Sequence, residues 1–426
     1  MSRSITALVL CAAWLLPSTP AVARPDRDEF ADSMAPPRFE LRSGLFRLAF
    51  KGAVRLELHD LQGQGGPGYD SPSDTKTLGT RSPFVEIDSF ALAFRLGVGE
   101  TLELNTEVAF TLSRAMVNAV WIDWRSRGPS WWGHHVEAGW APPIVKVYRR
   151  SERYPLVGMI AWRDSEAHLA YEATFDVARR VAFELGASLA MMRPLDLVSV
   201  QDSRNQPSTL SVLAYGPARP FSGNGPVGGG RLRLVVWGAF AEAFAFWGRL
   251  AAQGGTDVLR SGLMNYRRLP GHDPSQESYG RFRWYGGRVG YEDYGVHAWA
   301  EAIVFQEDLL TRWGAYGQVS WAIPVLRQTP WIPTIEPLVR YEAYRVLGSA
   351  DPIDGETALR SPAVANAPSW DWDVLTLAVI TEVYRDLLRL RVEYTFLWEK
   401  NGVPALGIAD QPVRNNELVV QAEVRF

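Results

Sequence analysis

Cysteine is nearly absent from this sequence, and its absence excludes a protein held together by disulfide bonds. The one cysteine, Cys11, lies among the first residues, within a mostly apolar run over residues 5–16. Arg3 precedes this run and the small residues at 21–23 follow it, which is the order of a secretory signal peptide. We therefore expect residues 1–23 to be cleaved on export, and the mature chain to depend on burial and backbone pairing for stability.

An excess of either charge and long apolar runs are also missing. The chain has 44 basic and 47 acidic residues, a net charge of -3, which does not favour nucleic acid as a partner. Beyond the signal region, no apolar run approaches the roughly 20 residues of a transmembrane helix. Aromatic residues are nevertheless abundant, at 12% with 17 tryptophans, as in membrane proteins with aromatic belts. If the chain lies in a membrane, it must cross as a closed β-barrel, which also pairs every backbone group in lipid.

The sequence signatures of common enzymes are missing as well. There is no G-x-S-x-G, no H-E-x-x-H, no P-loop and no cysteine pair, so we expect neither an enzyme nor a cofactor. The adjacent residues His134 and His135 suggest a metal site, but neighbours on a strand point to opposite faces and make a poor chelate. Asp70 and Asp74 lack the ligand spacing of a calcium loop. We therefore predict no metal site.

Alternation of apolar and polar residues dominates what is present. Residues 46–58, 101–112, 180–191, 387–398 and 416–426 each place most apolar residues on one parity and polar residues on the other, which indicates half-buried strands. Strands of soluble proteins average about 5–6 residues, whereas tilted membrane strands need about 9–11. The length of these segments favours a transmembrane antiparallel β-barrel over the alternative, a large soluble sandwich or propeller.

The connections between the segments alternate between tight turns and long loops rich in Gly, Pro, Ser and Asp. This asymmetry is typical of outer-membrane barrels, which have an even strand number, short periplasmic turns and long outer loops. We predict a periplasmic segment over residues 24–43 and a barrel over 44–426, with residues 156–162 as part of a loop or as a further strand. The barrel is expected to have about 16 strands, within a range of 14–18, which begin near residues 46, 84, 100, 115, 134, 167, 180, 230, 243, 280, 295, 312, 334, 372, 387 and 415.

The chain ends on an aromatic residue that continues the alternation of its last segment. Leu418, Val420, Val424 and Phe426 share one parity. We predict that Phe426 faces the membrane at the periplasmic rim of the closing strand. A terminal aromatic residue also resembles the signal by which the barrel-insertion machinery recognises its substrates.

Polar residues of the opposite parity predict the wall of an aqueous lumen. One interpretation is a hydrated wall of salt bridges, and the other is a transverse field between opposed basic and acidic walls. The sequence does not choose between them, because it does not say which residues face each other. The predicted wall residues are Arg47, Lys51, Arg55, Glu103, Glu107, Arg389, Arg391 and Glu393.

The densest basic cluster lies in the third long loop, residues 141–166. In sixteen-stranded porins this loop commonly folds inward and narrows the lumen, and guanidinium groups there attract phosphate or carboxylate. The alternative is an exposed outer loop that binds lipopolysaccharide or nothing. The predicted constriction residues are Lys146, Tyr148, Arg149, Arg150 and Arg153.

The order of these segments resembles the phosphate-selective porins O and P. Residues 90–110 are similar to an early hairpin of that family, and residues 118–124 with 135–155 resemble its next strands and the entry to its inward loop. Residues 314–324 and 335–342 are similar to its later strands. The resemblance implies a trimeric sixteen-stranded barrel in the bacterial outer membrane that passes small anions.

One departure from the family pattern concerns selectivity. The family has Gly-Gln-Phe-Lys before the inward loop, whereas this chain has Gly139-Trp140-Ala141-Pro142. We expect an outer-membrane channel for small hydrophilic solutes with a preference for anions, in contact with membrane lipid and lipopolysaccharide. The alternative is a plugged barrel that binds a partner through its long loops.

Overall fold

The structure is a computed structural model that describes sixteen stretches of the chain. They are residues 39–61, 84–110, 115–127, 131–145, 150–151, 155–162, 165–178, 180–191, 195–199, 211–215, 226–249, 281–307, 310–326, 328–347, 371–400 and 416–426. The predicted signal peptide and residues 24–38 lie outside these stretches.

Antiparallel strands make up nearly all of the described chain. Alternating side chains and tight turns produce them, since each turn returns the chain beside the strand it has just left. The strands are β1 (Phe39–Ser43), β2 (Phe46–Leu61), β3 (Phe84–Val98), β4 (Leu102–Phe110), β5 (Ala115–Arg127), β6 (Trp132–Ala141), β7 (Glu166–Ala178), β8 (Val181–Met191), β9 (Leu195–Ser199), β10 (Ser211–Tyr215), β11 (Pro226–Val236), β12 (Ala239–Arg249), β13 (Arg281–Asp293), β14 (Val296–Glu307), β15 (Leu310–Trp321), β16 (Ile323–Pro324), β17 (Thr334–Leu347), β18 (Asp371–Tyr384), β19 (Leu388–Lys400) and β20 (Glu417–Arg425).

Within the described residues, eighteen strands join in one antiparallel sheet that closes on itself. Strand β2 pairs with β3 along one edge and with β20 along the other, and β19 pairs with the far side of β20. Sixteen of these strands form the closed barrel, and the short β1 and β16 extend the sheet at its rim. The predicted transmembrane β-barrel of about 16 strands is therefore confirmed. Every predicted strand start falls within four residues of the observed one.

Three features differ from the prediction. Strand β1 begins at Phe39 and pairs with β2 beyond the end of β20, so the sheet begins before residue 44. Strands β9 and β10 form a separate hairpin within a stretch predicted as loop. Residues 156–162 are not a strand, since Leu156–Ala161 form a helix, α1. No helix in the described stretches is long and apolar enough to cross a membrane.

The alternation sorts side chains between the inside and the outside of the barrel. In β4 the polar residues Glu103, Asn105 and Glu107 are buried, while Leu102 and Leu104 are 39% and 40% exposed. Exposed apolar side chains continue around the barrel on the same outward parity. A closed sheet with an apolar exterior fits a bilayer, because lipid replaces the protein core on that side.

Phe426 lies at the seam that closes the barrel. Its backbone N–H donates to Gly52 O at 2.9 Å, and Gly52 N–H donates to Phe426 O at 2.7 Å. Its ring faces outward and lies 6.3 Å from the ring of Phe50 and 6.0 Å from that of Phe90. The terminal aromatic residue therefore packs over β2, which pairs with the last strand, and over β3 beside it.

Gly52→Val is expected to weaken this seam. A Cβ atom at residue 52 would lie 2.5 Å from the Phe426 ring, so the ring must leave its position. We expect a free energy of unfolding lower by about 1–3 kcal/mol, as for overpacking elsewhere, measured by urea titration of the refolded barrel.

Gly317→Val is the matched control for this substitution. Gly317 also faces outward from a strand, but a Cβ atom there would have no neighbour within 4 Å. We expect unfolding within about 0.5 kcal/mol of the wild type, as for a surface position. Equal effects of both substitutions would contradict the role assigned to the Phe426 ring.

Candidate functional site

The inner face of the barrel carries an ion-paired wall. Glu107 and Glu393 are buried, and Arg47 on β2 pairs with Glu103 on β4. This pair reaches across Gly97 of β3, which has no side chain in the way. All eight predicted wall residues have the inward parity of their strands: Arg47, Lys51, Arg55, Glu103, Glu107, Arg389, Arg391 and Glu393.

Glu423 is the centre of the ion pairs at the closing seam. Its Oε2 accepts a hydrogen bond from Arg55 Nε at 2.9 Å, and its Oε1 accepts one from Arg425 Nε at 2.6 Å. Arg391 Nη1 lies 3.4 Å from Oε2. Because these residues come from β2, β19 and β20, charge pairing and backbone pairing join the same strands.

A second centre, on β11, is the buried residue Arg231. Its guanidinium lies 3.1 Å from Glu172, 3.1 Å from Glu184 and 2.9 Å from Glu242. Arg288 continues the network towards Glu242 at 3.7 Å. Opposite charges therefore meet on neighbouring strands, as in the salt-bridged wall that was one of the two interpretations.

The end of β6 and the described residues between β6 and β7, which include α1, are nearly all buried inside the barrel. Ala141, Val145, Leu156 and Ile160 are each at most 1% exposed. A six-residue helix is too short to be stable alone. Contacts with the barrel wall must therefore hold it.

Trp162, directly after α1, fixes this segment to the wall. Its Nε1 donates to Glu301 Oε1 at 2.8 Å. Its ring lies 5.3, 5.6 and 5.5 Å from three inward-facing aromatic rings, those of Phe244, Phe246 and Trp284. Edge-on and tilted aromatic contacts of this kind add to the gain from apolar burial.

Arg340 and Glu342 of β17 hold the other end of the segment. Arg340 donates from Nη1 to Ser151 Oγ at 2.6 Å and from Nε to Glu342 Oε1 at 2.7 Å. The backbone N–H of Leu156 donates to the second oxygen of Glu342. Both charged side chains are buried, so each depends on the other for compensation.

Arg150 is the one predicted constriction residue among those that the structure describes. Its Nη2 lies 2.6 and 2.7 Å from the two ring nitrogens of His297, and its Nε lies 3.7 Å from Glu336. The guanidinium also lies 5.8 Å from the ring centroid of Trp299. Arg150 therefore contacts inward-facing residues of the wall. The other predicted residues, Lys146, Tyr148, Arg149 and Arg153, lie outside the described stretches.

Sequence reasoning missed the apolar part of the interior. The inward residues Phe244, Phe246 and Trp284 are large and aromatic, where a water-filled lumen predicts polar ones. The sequence does contain a signal of this apolar interior, because residues 239–247 carry apolar side chains on both parities. In the structure, Trp247 is exposed on the outside and Phe246 is buried on the inside. The apolar run at 156–162 is the matching signal in the loop.

Comparisons with known proteins found similar solved structures but no matching sequence. No protein-family model matches the sequence, and no curated protein matches it either. A solved structure of Salmonella typhi OmpF in complex with daunomycin is similar with a TM-score of 0.52 and 9% identity, over 91% of this chain and 100% of that one. OmpT, an outer membrane protein of Vibrio cholerae, gives a TM-score of 0.46 at 11% identity, over 91% and 99%. The outer membrane channel DcaP of Acinetobacter baumannii gives 0.48 at 11% identity, over 91% and 99%.

The likeness to OmpF shows a shared barrel fold. The closed sixteen-stranded sheet and its apolar exterior place this protein in the bacterial outer membrane, since in a bilayer only such a barrel leaves no unpaired strand edge.

Arg340→Met is expected to destabilise the folded barrel strongly. The substitution leaves Glu342 buried without its guanidinium partner, a change that typically costs about 3–5 kcal/mol. The free energy of unfolding from urea titration measures it.

Arg42→Met is the control, because Arg42 and Glu40 form an exposed pair with the same spacing of two residues and a distance of 2.6 Å. Water compensates both charges there, so we expect an unfolding midpoint equal to that of the wild type. Equal losses in the two variants would refute the anchoring role of Arg340.

Proposed function

We propose that the protein is a passive diffusion channel of the bacterial outer membrane for small hydrophilic solutes. The ion-paired inner wall carries the proposal, because a barrel whose inside is lined by Arg, Glu and Gln side chains offers a hydrated path through an apolar bilayer. The buried residues around α1, which pack against the inner wall, narrow this path from one side. The proposal includes no enzymatic activity.

Preference for anions is part of the same proposal. Arg150 contacts the wall inside the barrel, and Lys146, Arg149 and Arg153 are close to it in sequence. Guanidinium groups at a constriction attract carboxylate or phosphate by charge and by paired hydrogen bonds. The resemblance to phosphate-selective porins supports this selectivity, and the homotrimer and lipopolysaccharide contacts that it implies belong to the proposal.

A plugged barrel that binds a partner through its outer loops is the second candidate. The observation in its favour is the buried apolar segment, in which Trp162 packs among inward-facing aromatic residues. An apolar insert of this kind closes part of the interior to water.

Trp162→Ala separates the two candidates in planar-bilayer recordings. Removal of a buried tryptophan side chain costs about 3–5 kcal/mol of packing, so the segment loses its main contact with the wall. For a channel, we expect conductance from the wild type and a larger conductance from the variant.

Trp247→Ala is the matched control, since Trp247 follows Phe246 on β12 but points outward and is 60% exposed. Its conductance should equal that of the wild type. If the wild type shows no conductance and Trp162→Ala does, the protein is the plugged barrel. If neither the wild type nor Trp162→Ala conducts, the protein is not a diffusion channel, and no pore opens when the contact of the segment is removed.

The double variant Arg149→Ala/Arg150→Ala tests ion preference. In a potassium chloride gradient, the reversal potential of the wild type should indicate anion selectivity, and the variant should lose most of it because two positive charges leave the constriction. The control is Arg180→Ala, at a tight turn, where Arg180 lies 5.4 Å from the Trp237 ring. Cation selectivity that the double variant leaves unchanged would refute the anion preference.

A further inference from the structure

A histidine-containing cluster lies on the inner face of β5, β6 and β7. Asp123 on β5 is directly opposite Glu137 on β6, and His135 on β6 is directly opposite Glu172 on β7. His168 on β7 is the fifth member. All five side chains face inward, and each is only 3–6% exposed.

Hydrogen bonds order the two imidazole rings. His135 Nε2 is hydrogen-bonded to Asp123 Oδ1, and its Nδ1 lies 3.5 Å from Glu172 Oε2. His168 Nε2 lies 2.7 Å from Glu137 Oε1. The second nitrogen of His168, Nδ1, is buried and forms no hydrogen bond within the described stretches, although Glu166 Oε1 lies 3.5 Å away. Each imidazole therefore stands between two carboxylates.

This cluster differs chemically from the rest of the wall. Around Arg231 and Glu423, guanidinium groups that are always charged compensate the carboxylates. Asp123 and Glu137 are hydrogen-bonded to imidazoles, which can offer a lone pair instead of a charge. One guanidinium, that of Arg125, also lies 3.5 Å from Asp123. Carboxylates and neutral imidazoles are the ligands of borderline divalent metals such as Zn²⁺ and Cu²⁺.

We propose that Asp123, His135 and Glu137 bind a divalent transition-metal ion on the lumen wall. One potential ligand atom from each of the three side chains lies within 4.8 Å of the other two, so small rotations bring them around one ion. The set supplies one nitrogen and two oxygens. Water or a solute in the lumen completes the coordination.

Two neighbouring residues support the ligands. Glu172 lies beside His135 Nδ1, the position from which a carboxylate accepts the N–H of a metal-bound imidazole and directs its other nitrogen to the metal. His168 donates to Glu137 and orients that carboxylate. The Asp123 carboxylate can only accept, so His135 Nε2 carries the hydrogen in their hydrogen bond. Binding replaces that bond: a doubly protonated ring releases the Nε2 proton to water, and a neutral ring loses it from Nε2 and takes one from water at Nδ1.

The adjacent His134 provides an internal control, because it belongs to the other face of the strand. Its Nδ1 lies 2.7 Å from the hydroxyl of Tyr171 on the outside of the barrel. The expectation that two adjacent histidines do not chelate one ion is consistent with this geometry. The site instead draws its ligands across strands, from β5 and β6, which sequence spacing does not reveal.

The test uses the full mature barrel, refolded without a histidine tag. We expect Zn²⁺ titration calorimetry to show one site in the wild type and in His134→Gln. In His135→Gln the dissociation constant should rise by at least about tenfold, since even outer residues of metal sites contribute this much. With Cu²⁺, electron paramagnetic resonance should show nitrogen coupling that His135→Gln abolishes and His134→Gln retains.

Three results would overturn the proposal: no binding to the wild type, equal binding by His135→Gln, or loss of binding in His134→Gln alone. No binding to the wild type is expected if both imidazoles only form ion pairs with the carboxylates. Heat-dependent mobility on gels verifies that each barrel is folded. If His135→Gln does not fold, Asp123→Asn serves under the same criteria. Binding in detergent does not require conduction, so failure here and failure of the channel proposal are distinguishable.

Discussion

Backbone pairing between β2 and β20 is the constraint on which the rest of the structure depends. Without it the sheet has two open edges, and in lipid each unpaired N–H or C=O costs several kcal/mol. The pairing runs from Ala53 opposite Arg425 to Leu61 opposite Glu417, and the Gly52–Phe426 hydrogen bonds extend it. The last residues of the chain therefore decide whether the preceding strands have an inside and an outside.

Closure of the sheet also explains why so many inward-facing charged side chains form ion pairs. Once the sheet is closed, every second side chain points into a limited volume, and a buried charge there needs a partner or solvent. Glu423 on the closing strand meets Arg55, Arg391 and Arg425 from that strand and its two neighbours. These ion pairs favour the same strand register as the alternation of apolar and polar residues. A one-residue slip of β20 would turn its charged side chains toward lipid.

Local periodicity predicts the strands well because membrane strands repeat one pattern over their whole length. The prediction is wrong where structure depends on distant partners. Helix α1 is too short to form alone, and it exists because Trp162 meets aromatic residues of β12 and β13, about eighty or more positions later in the chain. Likewise, the parity of His134 and His135 separates their faces, but only cross-strand register brings Asp123 to His135.

The segment around α1 packs against one side of the interior, where Trp162 meets inward-facing aromatic rings. If the segment around α1 left the wall, the inward rings of Phe244, Phe246 and Trp284 would meet water, at about 25 cal/mol for each Å² of apolar surface. The segment therefore stays docked against β12–β17 under ordinary conditions. In a conducting barrel, solutes must then move along the opposite side, over the ion pairs of β2–β7 and β20. In such a barrel, the charges on that side are expected to act on a solute as much as those of the inward segment.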